Sequence, residues 1–558
     1  MTFSTFEKTY RQVISTGTIF GLGLMIISLA HSKYTMSIAQ FILAGAFVLD
    51  RIDLRKVSLF FRGNHKFIFF IKIIPYHIYL LFDSIYKGLK LFLKNKAALI
   101  FISILLMHVA GLIFTTDFNY AMKDLRTKLP IFLLPLFIST SQSFGRKGFY
   151  WFILLFCTSV FVRTLINTWG FVHENFVDIR DISKAISHLI IALMIAFSIF
   201  SLGWLISRKR TFPLWMKILF SLMAVWMIIY MVITQSATGL LVTFFTFVIF
   251  LIVIIIRSNK IWLRIVSSAF IFLSFAGIAF YFGSVVKDYY KVNPVDLTKL
   301  EKVTARGNQY VHNTKDLATE NGNYLWIYIQ WDELRESWAK RSRMSLTGVD
   351  KKNQLLLNTL IRFLASKGDR KDTDGVNHLS DKEVRAIENG VANVIFIRDF
   401  GISGRIYEFL SGYDEYRKTG NPSGSTVMQR LEFWKASVGI IRDHWLTGVG
   451  TGDMNEAFQQ QYIKMNSQLP HDQRWRSHNQ FLSIFVGFGI FGLIWFLFCI
   501  FYPPYFSGKY HDFFFLIFLI IALLSMVTED TIESQAGVTF FAFFYSFLMW
   551  GRKEEDAL

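Results

Sequence analysis

Cysteine is scarce in this chain, and the short motifs that commonly bind metals are missing from it. Its 558 residues include two cysteines, Cys157 and Cys499, and each lies inside an apolar run. Two isolated thiols cannot supply a disulfide framework, and no CxxC or HExxH pattern accompanies them. The sequence therefore excludes a disulfide-stabilised scaffold and predicts neither a metal site nor a cofactor.

Charge is missing from long stretches of the chain. No charged side chain occurs in residues 265–282 or 513–524, although charged residues make up 18% of the sequence. Apolar runs of about 18–20 residues match the hydrocarbon thickness of a bilayer, which is roughly 30 Å. This pattern excludes a soluble globular protein and predicts an all-α, polytopic transmembrane helical bundle. We count twelve candidate spans: residues 14–31, 35–49, 97–115, 130–143, 149–166, 185–206, 214–234, 238–256, 263–284, 478–502, 512–527 and 538–551.

The distribution of positive charge predicts how the chain crosses the membrane. The formal net charge is +19, and much of the excess lies in short loops between apolar runs. Positive charge in short loops marks the cytoplasmic face, so both termini are predicted to be cytoplasmic. Since no basic nucleic-acid-binding module is left over, we expect the lipid bilayer and not nucleic acid as a partner.

The same pattern predicts three segments. Residues 1–284 are predicted to form nine transmembrane helices, with a basic amphipathic segment at 51–96 lying on the cytoplasmic surface. Residues 285–477 are predicted to form a helical loop domain on the periplasmic side. Residues 478–558 then contribute transmembrane helices 10–12 and a short cytoplasmic tail.

Polar side chains cluster where the predicted loop domain meets the tenth span. Arg474, Arg476 and His478 occur within five residues, and an apolar run follows at once. A histidine at this boundary can accept a proton, and neighbouring arginines can bind phosphate oxygens in a bidentate manner. Such residues also anchor helix ends at the membrane interface, and their types alone favour that role.

A second arginine lies on a predicted helix upstream of this cluster. Arg430 falls in the first turn of the helix, where it could bind an anion or pair with an acid such as Glu432. Residue types alone favour the ion pair. The glycine-rich residues 448–452 that follow lack the spacing of a dinucleotide fingerprint and have no Walker lysine, so a tight turn is predicted there.

Taken as a set, these features resemble the O-antigen ligase and polymerase superfamily, and most of all its ligase-type members. The resemblance is carried by residues 430–434, 443–452 and 477–482 with the glycines at 487, 489 and 492, and it extends to residues 111–135, 235–241 and 528–530. It implies a C-type-like, membrane-embedded glycosyltransferase in a bacterial inner membrane. The donor would be a glycan on a polyprenyl diphosphate, and the ligase acceptor would be the lipid A core.

The resemblance also implies roles for individual residues. His478 would be the catalytic histidine that activates the acceptor hydroxyl, and Arg430 would be a diphosphate-binding cation. Transfer would invert the anomeric configuration without a metal, with arginines stabilising the leaving diphosphate. Arg476 and Arg474 are further candidates by proximity to His478.

The chain departs from the family pattern at two basic positions, an arginine and a basic residue expected after His188 at the start of the sixth span, and it leaves several functions open. Ala237 stands where many members carry an arginine, and Arg180 or Arg306 would have to supply that charge. An O-antigen polymerase and a protein O-oligosaccharyltransferase would share the donor chemistry of a ligase. Outside the enzymes, a transporter of lipid-linked glycans remains an alternative.

Overall fold

The membrane-spanning part of the molecule is built from long apolar helices. The computed structural model describes residues 3–57, 66–173, 186–208, 211–398 and 402–552. Within these residues, eight helices are long and apolar enough to cross a bilayer. They are Thr5–His31, Lys96–Phe114, Arg146–Phe171, His188–Ser207, Leu214–Ile233, Ala237–Arg257, Ile261–Tyr290 and Gln480–Phe506.

Shorter apolar helices account for the remaining predicted spans. Three of them, Lys33–Leu49, Phe513–Thr528 and Gln535–Trp550, have 16 or 17 residues. Pro130–Thr140 has only 11 residues and is mostly buried. The predicted fold class, an all-α multi-spanning helical protein, is confirmed. The basic segment at 51–96 contributes the helix Lys66–Phe92, which is not among the candidate spans found in the described residues.

The chain divides into two compact units, Met1–Ile249 with Gln429–Leu558, and Phe250–Met428. In the first unit, Phe3–His31 packs against Lys33–Leu49, and Gln480–Phe506 packs against Lys96–Ala110. Gln535–Trp550 packs against Pro130–Thr140 and is buried along most of its length. A helix that is apolar on every face is satisfied only when other helices or lipid surround it.

Aromatic side chains fill the space between these helices. Phe101 stacks on Tyr545 with ring centroids 4.0 Å apart, and Phe149 stacks on Phe547 at 5.3 Å. The Tyr545 hydroxyl donates to the carbonyl oxygen of Ile500 at 3.0 Å, so its polar atom is not left without a partner inside the bundle.

Three further helices of the first unit are more polar than its membrane spans. They are Phe118–Lys128, Met454–Lys464 and Thr426–His444, which begins three residues before Gln429, where this segment of the unit starts. Short 3₁₀ turns occur at Gly111–Phe114, His471–Gln473 and Lys509–His511.

The glycine-rich segment after Thr426–His444 is a tight turn that packs against a break in Gln480–Phe506. Gly489 has φ +65°, and a Cβ there would lie 2.2 Å from the carbonyl oxygen of Leu446. The amides of Val449 and Gly450 donate to carbonyl oxygens inside the broken helix at 3.0 and 2.9 Å. A side chain at Gly489 would push the two backbones apart, so only glycine fits this close approach.

The second unit, Phe250–Met428, has a hydrophobic core of its own. Trp338, Leu360 and Phe363 are at most 1% exposed and belong to one buried cluster. The helices Trp331–Arg341, Leu356–Lys367, Thr373–Asn377 and Asp381–Glu388 and a two-stranded antiparallel hairpin, Thr319–Glu320 with Asn323–Tyr324, surround it. The unit also contains the long helix Ile261–Tyr290, which packs against Ile402–Thr419, and the short helix Ile395–Arg398. The predicted loop domain, 285–477, is thus divided at Met428 between the two units.

Candidate functional site

His478 lies at the start of the broken helix, in a backbone conformation that is uncommon for a residue with a side chain. Its φ is +45°, in the left-handed region. The next residue, Asn479, caps the helix Gln480–Phe506 by accepting a hydrogen bond from the Leu482 amide at 3.1 Å. The imidazole stacks on Phe433 with ring centroids 5.5 Å apart. The helix start and this stacking together define where the ring lies.

Glu529 joins the two residues that the sequence singles out. One carboxylate oxygen lies 3.4 Å from His478 Nδ1, and the other accepts a hydrogen bond from the guanidinium of Arg430. Glu529 follows the helix Phe513–Thr528, so three separate segments meet at this carboxylate. The His478 side chain is 37% exposed and that of Arg430 is 28% exposed. This cluster is therefore accessible at its edge.

The contact with Glu529 distinguishes the two ring nitrogens of His478. In the part of the chain that the structure describes, Nε2 has no hydrogen-bond partner, whereas Nδ1 faces the carboxylate. A proton on Nδ1 would be held by Glu529, which leaves the lone pair of Nε2 for a substrate hydroxyl. A distance of 3.4 Å is long for a hydrogen bond, as catalytic contacts often are before substrate binds.

Glu533, four residues further on, organises a second and more deeply buried cluster. Its Oε2 lies 2.9 Å from Lys128 Nζ and 3.5 Å from Arg476 Nη2. Its Oε1 accepts a hydrogen bond from Gln480 Nε2 at 3.0 Å. Burial alone would raise the pKa of Glu533, but the charges of Lys128 and Arg476 outweigh it and hold that pKa well below its usual range. Glu533 is therefore ionised at neutral pH.

Lys128 extends the buried cluster to a second carboxylate. Its ammonium lies 2.5 Å from Asp124 Oδ1 within the helix Phe118–Lys128, and its side chain has no exposed surface. His108 Nδ1 lies 3.2 Å from the other oxygen of Asp124. Burial would lower the pKa of Lys128, but Glu533 and Asp124 together raise it, so the ammonium is retained.

Arg476 belongs to the buried cluster but is not fully satisfied by it. Its Nη1 is a buried atom with no hydrogen-bond partner among the described residues. Burial alone would lower the pKa of Arg476. The interactions with Glu533, Tyr120 and Asp530 outweigh burial and raise that pKa above its usual value. A charged guanidinium with one unpaired nitrogen can accept an anion as an additional partner.

Asp530 differs from its neighbours in the turn. It accepts a hydrogen bond from Ser483 Oγ at 2.8 Å, and burial raises its pKa despite the nearby charge of Arg476. A buried carboxyl with a raised pKa binds a proton more readily than an exposed one.

A cavity of about 710 Å³ brings the two clusters together. Its polar wall includes Tyr120, Trp475, Arg476, His478, Glu529 and Glu533. Its apolar wall comes from Leu189, Ile190 and Leu193, in the first turns of the helix His188–Ser207. A site with one polar and one apolar wall suits an amphiphilic ligand. Arg430 is connected to this cavity through Glu529.

Residues 387–497 match the family model described as O-antigen ligase. This match confirms the predicted resemblance to the O-antigen ligase and polymerase superfamily. The ligase match contains Arg430, the glycine-rich turn, Arg476 and His478. A comparison with curated proteins finds no match to the chain. The chain is a multi-pass membrane protein, and its residues 387–497 are similar to the O-antigen ligase family.

The remaining predicted site residues have different positions. The Arg474 side chain lines the cavity, but its guanidinium donates to the carbonyl oxygens of Leu469 and Ser467 at 3.0 and 3.4 Å. Arg306 belongs to the second unit, in an exposed turn that follows Thr304. Arg180 lies outside the described residues. Their proposed parts in substrate binding stay predictions.

The structure shows where Ala237 lies, at the position where the resemblance implies an arginine. Ala237 begins the helix Ala237–Arg257, and its neighbour Thr238 lines the cavity. Arg476 is a cation that lines the same cavity. Its Nη1 has no hydrogen-bond partner among the described residues, which proximity to His478 in the sequence could not indicate.

Sequence reasoning missed the carboxylates that bind these cations. Glu529 and Glu533 lie in an acidic turn between two apolar spans and Lys128 lies in a loop with several charges, and nothing local in the sequence assigns them to His478 or Arg476. The available signal was the charge density of such short connections next to membrane helices, because ionisable groups at membrane depth are usually kept for function. Across the described residues, no group of three or more His, Cys, Asp or Glu could hold a metal ion.

Proposed function

We propose that the protein is a glycosyltransferase that moves a glycan from a polyprenyl diphosphate carrier to an acceptor at the periplasmic face of the bacterial inner membrane, with the lipid A core as the preferred acceptor. The observation that carries the proposal is the shared cavity. A histidine held by a carboxylate and an arginine with an unpaired nitrogen line the same space, at the end of apolar helices.

The reaction assigns one task to each cluster. The acceptor hydroxyl oxygen bonds to the anomeric carbon of the donor while its proton passes to His478 Nε2. The bond from that carbon to the phosphate oxygen breaks, and its electron pair leaves with the diphosphate. Glu529 stabilises the imidazolium through Nδ1, as a carboxylate does in other histidine-dependent enzymes.

Charge on the leaving group is stabilised by an arginine that lines the same cavity as His478. Arg476 lines the cavity, and its unpaired Nη1 is the atom assigned to the diphosphate. The polyprenyl chain would lie along Leu189, Ile190 and Leu193. Attack on the face opposite the diphosphate inverts the anomeric configuration.

Arg430 takes a different part from the one the resemblance implied. Its guanidinium pairs with Glu529, so it holds the carboxylate that orients His478. We propose that Arg430 acts first as a positioning residue, and that it contacts the diphosphate only if substrate draws it from Glu529.

A transfer assay with the full chain in nanodiscs tests the function. The donor is a polyprenyl diphosphate-linked oligosaccharide, and the acceptors are lipid A core, a second molecule of the donor, and a serine-containing peptide. We expect release of polyprenyl diphosphate with transfer to lipid A core, and loss of both in H478A. The matched control is H471A, because His471 is an exposed histidine seven residues away.

The product identifies the branch of the superfamily. Glycan on the second donor molecule would indicate a polymerase, and glycan on the peptide would indicate a protein O-oligosaccharyltransferase. Movement of the donor between leaflets without release of diphosphate would contradict the transferase and favour a transporter. Equal turnover by H478A and wild type would contradict the assignment of the histidine.

A further inference from the structure

Lys128 is a fully buried cation that the proposed reaction does not use. It ends the helix Phe118–Lys128, and its side chain has no exposed surface. An ammonium is kept inside a protein only when carboxylates compensate for the lost hydration. Lys128 has two such carboxylates, Asp124 at 2.5 Å and Glu533 at 2.9 Å.

One oxygen of Glu533 is shared between Lys128 and the cavity arginine. Oε2 lies 2.9 Å from Lys128 Nζ but 3.5 Å from Arg476 Nη2, while Oε1 is occupied by Gln480. The shorter contact shows that Lys128 is the principal partner of this carboxylate. Arg476 therefore makes a long, single contact and keeps Nη1 unpaired.

The geometry would change if Lys128 were neutral. Glu533 would then have Arg476 as its remaining cationic partner within 4 Å among the described residues. Arginine and carboxylate prefer a close, two-pronged contact when nothing competes for either group. Such a contact would occupy both terminal nitrogens of Arg476 and neutralise the charge that faces the cavity.

We propose that Lys128 is a positioning residue: by engaging Glu533, it keeps Arg476 from full pairing and so leaves one guanidinium nitrogen for a lipid-linked diphosphate. This inference rests on the proposed function for the identity of the ligand. Lys128 itself does not touch the substrate, and its effect passes through Glu533. Because the effect depends on Glu533, a positioning role can be distinguished from a direct electrostatic effect of Lys128 on the ligand.

A double-mutant cycle tests the route. The measured quantity is the Kd of farnesyl diphosphate, a short polyprenyl diphosphate, for the full chain in nanodiscs. We expect K128Q to weaken binding about tenfold relative to wild type, within the usual range of coupling inside one charge network. The same substitution in an E533Q background should change the Kd by less than about twofold, because the residue that transmits the effect is gone.

Matched controls isolate the position from the charge. K123Q removes a lysine from the exposed face of the same helix and should bind the probe like wild type. K128R keeps the positive charge at the buried position and should recover part of the affinity lost in K128Q. If K128Q does not accumulate as folded protein, D124N/K128Q and D124N/K128Q/E533Q provide the same comparison without an unpaired Asp124.

Several outcomes would overturn the inference. An equal loss of affinity in the wild-type and E533Q backgrounds would show that Lys128 acts directly by its charge. An unchanged Kd in K128Q, or no binding of the probe by wild type, would also defeat it. The proposed function fails separately: wild type would then bind farnesyl diphosphate with the predicted dependence on Lys128 and yet transfer no glycan.

Discussion

Two charge clusters are organised by one short turn, and they differ in their access to solvent. Glu529 joins His478 and Arg430, whose side chains are 37% and 28% exposed. Glu533 joins Lys128, which has no exposed surface, and Arg476, which is largely buried. Both carboxylates line the same cavity.

The difference in burial suits the two clusters to different functions. Groups at an accessible edge can exchange partners when substrate arrives, at a small cost, because water replaces lost contacts. Buried charges lose strongly when a partner is removed, so they are suited to holding a fixed arrangement. The accessible cluster is thus suited to proton transfer, and the buried cluster to keeping a cation in position.

The largest expected effect is on stability, in the buried cluster. E533Q should destabilise the protein by about 3 kcal/mol at neutral pH, because Lys128 and Arg476 lose their shared carboxylate. The depressed pKa of Glu533 means that its contribution is present above the usual value of 4.5 and is lost as pH falls through the folded value. Thermal unfolding of E533Q and wild type should therefore converge on acidification. If the difference in stability between E533Q and wild type did not depend on pH, the charge of Glu533 would not be what stabilises the protein.

The next effect is on catalysis, in the accessible cluster. E529Q should lower kcat about a hundredfold, within the range of general acid–base catalysis, because the neutral amide stabilises the imidazolium poorly. Stability should change less than in E533Q, since the partners of Glu529, His478 and Arg430, are partly exposed to solvent. E456Q removes an exposed carboxylate elsewhere and serves as the control in the same transfer assay. If E529Q retained full kcat, the orienting role of Glu529 would be wrong.

A smaller effect is expected at Arg476, which belongs to the buried cluster and lines the cavity. R476A should raise the donor KM about tenfold, the amount expected for one hydrogen bond to a charged group. Its effect on kcat should be smaller if Arg476 binds the diphosphate equally in the ground and transition states. R442Q, at an exposed position, is the control. An effect confined to kcat would instead assign Arg476 to the transition state alone.

The smallest expected effect is on stability at Asp530, and its sign is opposite to the effect expected at Glu533. Burial raises the pKa of Asp530, so its ionisation opposes folding as pH rises through the folded value. D530N should therefore gain about 1 kcal/mol of stability over wild type at neutral pH, a few degrees in Tm at most, and lose that gain on acidification. Melting curves at several pH values distinguish this from E533Q. Destabilisation of D530N at neutral pH would show that the hydrogen bond from Ser483 requires the carboxylate.

Much of the fold could be predicted because the signals for membrane helices are local. The run 513–524 has no charge, and the structure places the helix Phe513–Thr528 over it. The break at Gly489 could not be predicted in the same way. Glycine is common in membrane helices, and this one breaks its helix because the backbone at Leu446 approaches it closely.

The site was predictable only in part for the same reason. Residue types alone favour a membrane anchor at His478 and an ion pair at Arg430, and only the family resemblance implies roles for them in transfer. Glu529 has no local pattern that assigns it to His478, because 51 residues separate the two in the chain. Lys128 and Glu533 are 405 residues apart, and their contact arises only from the packing of their segments.

The sequence by itself determined that this is a multi-spanning helical protein, that a histidine stands at the start of a span, and that a ligase-type pattern surrounds it. These features depend on hydrophobicity and on spacing within single segments. Only the tertiary structure decided which carboxylate each cation meets, and which nitrogen of Arg476 is left unpaired. The physical reason is that the energy of an ion pair depends on distance and burial, and both are set by how separate helices pack.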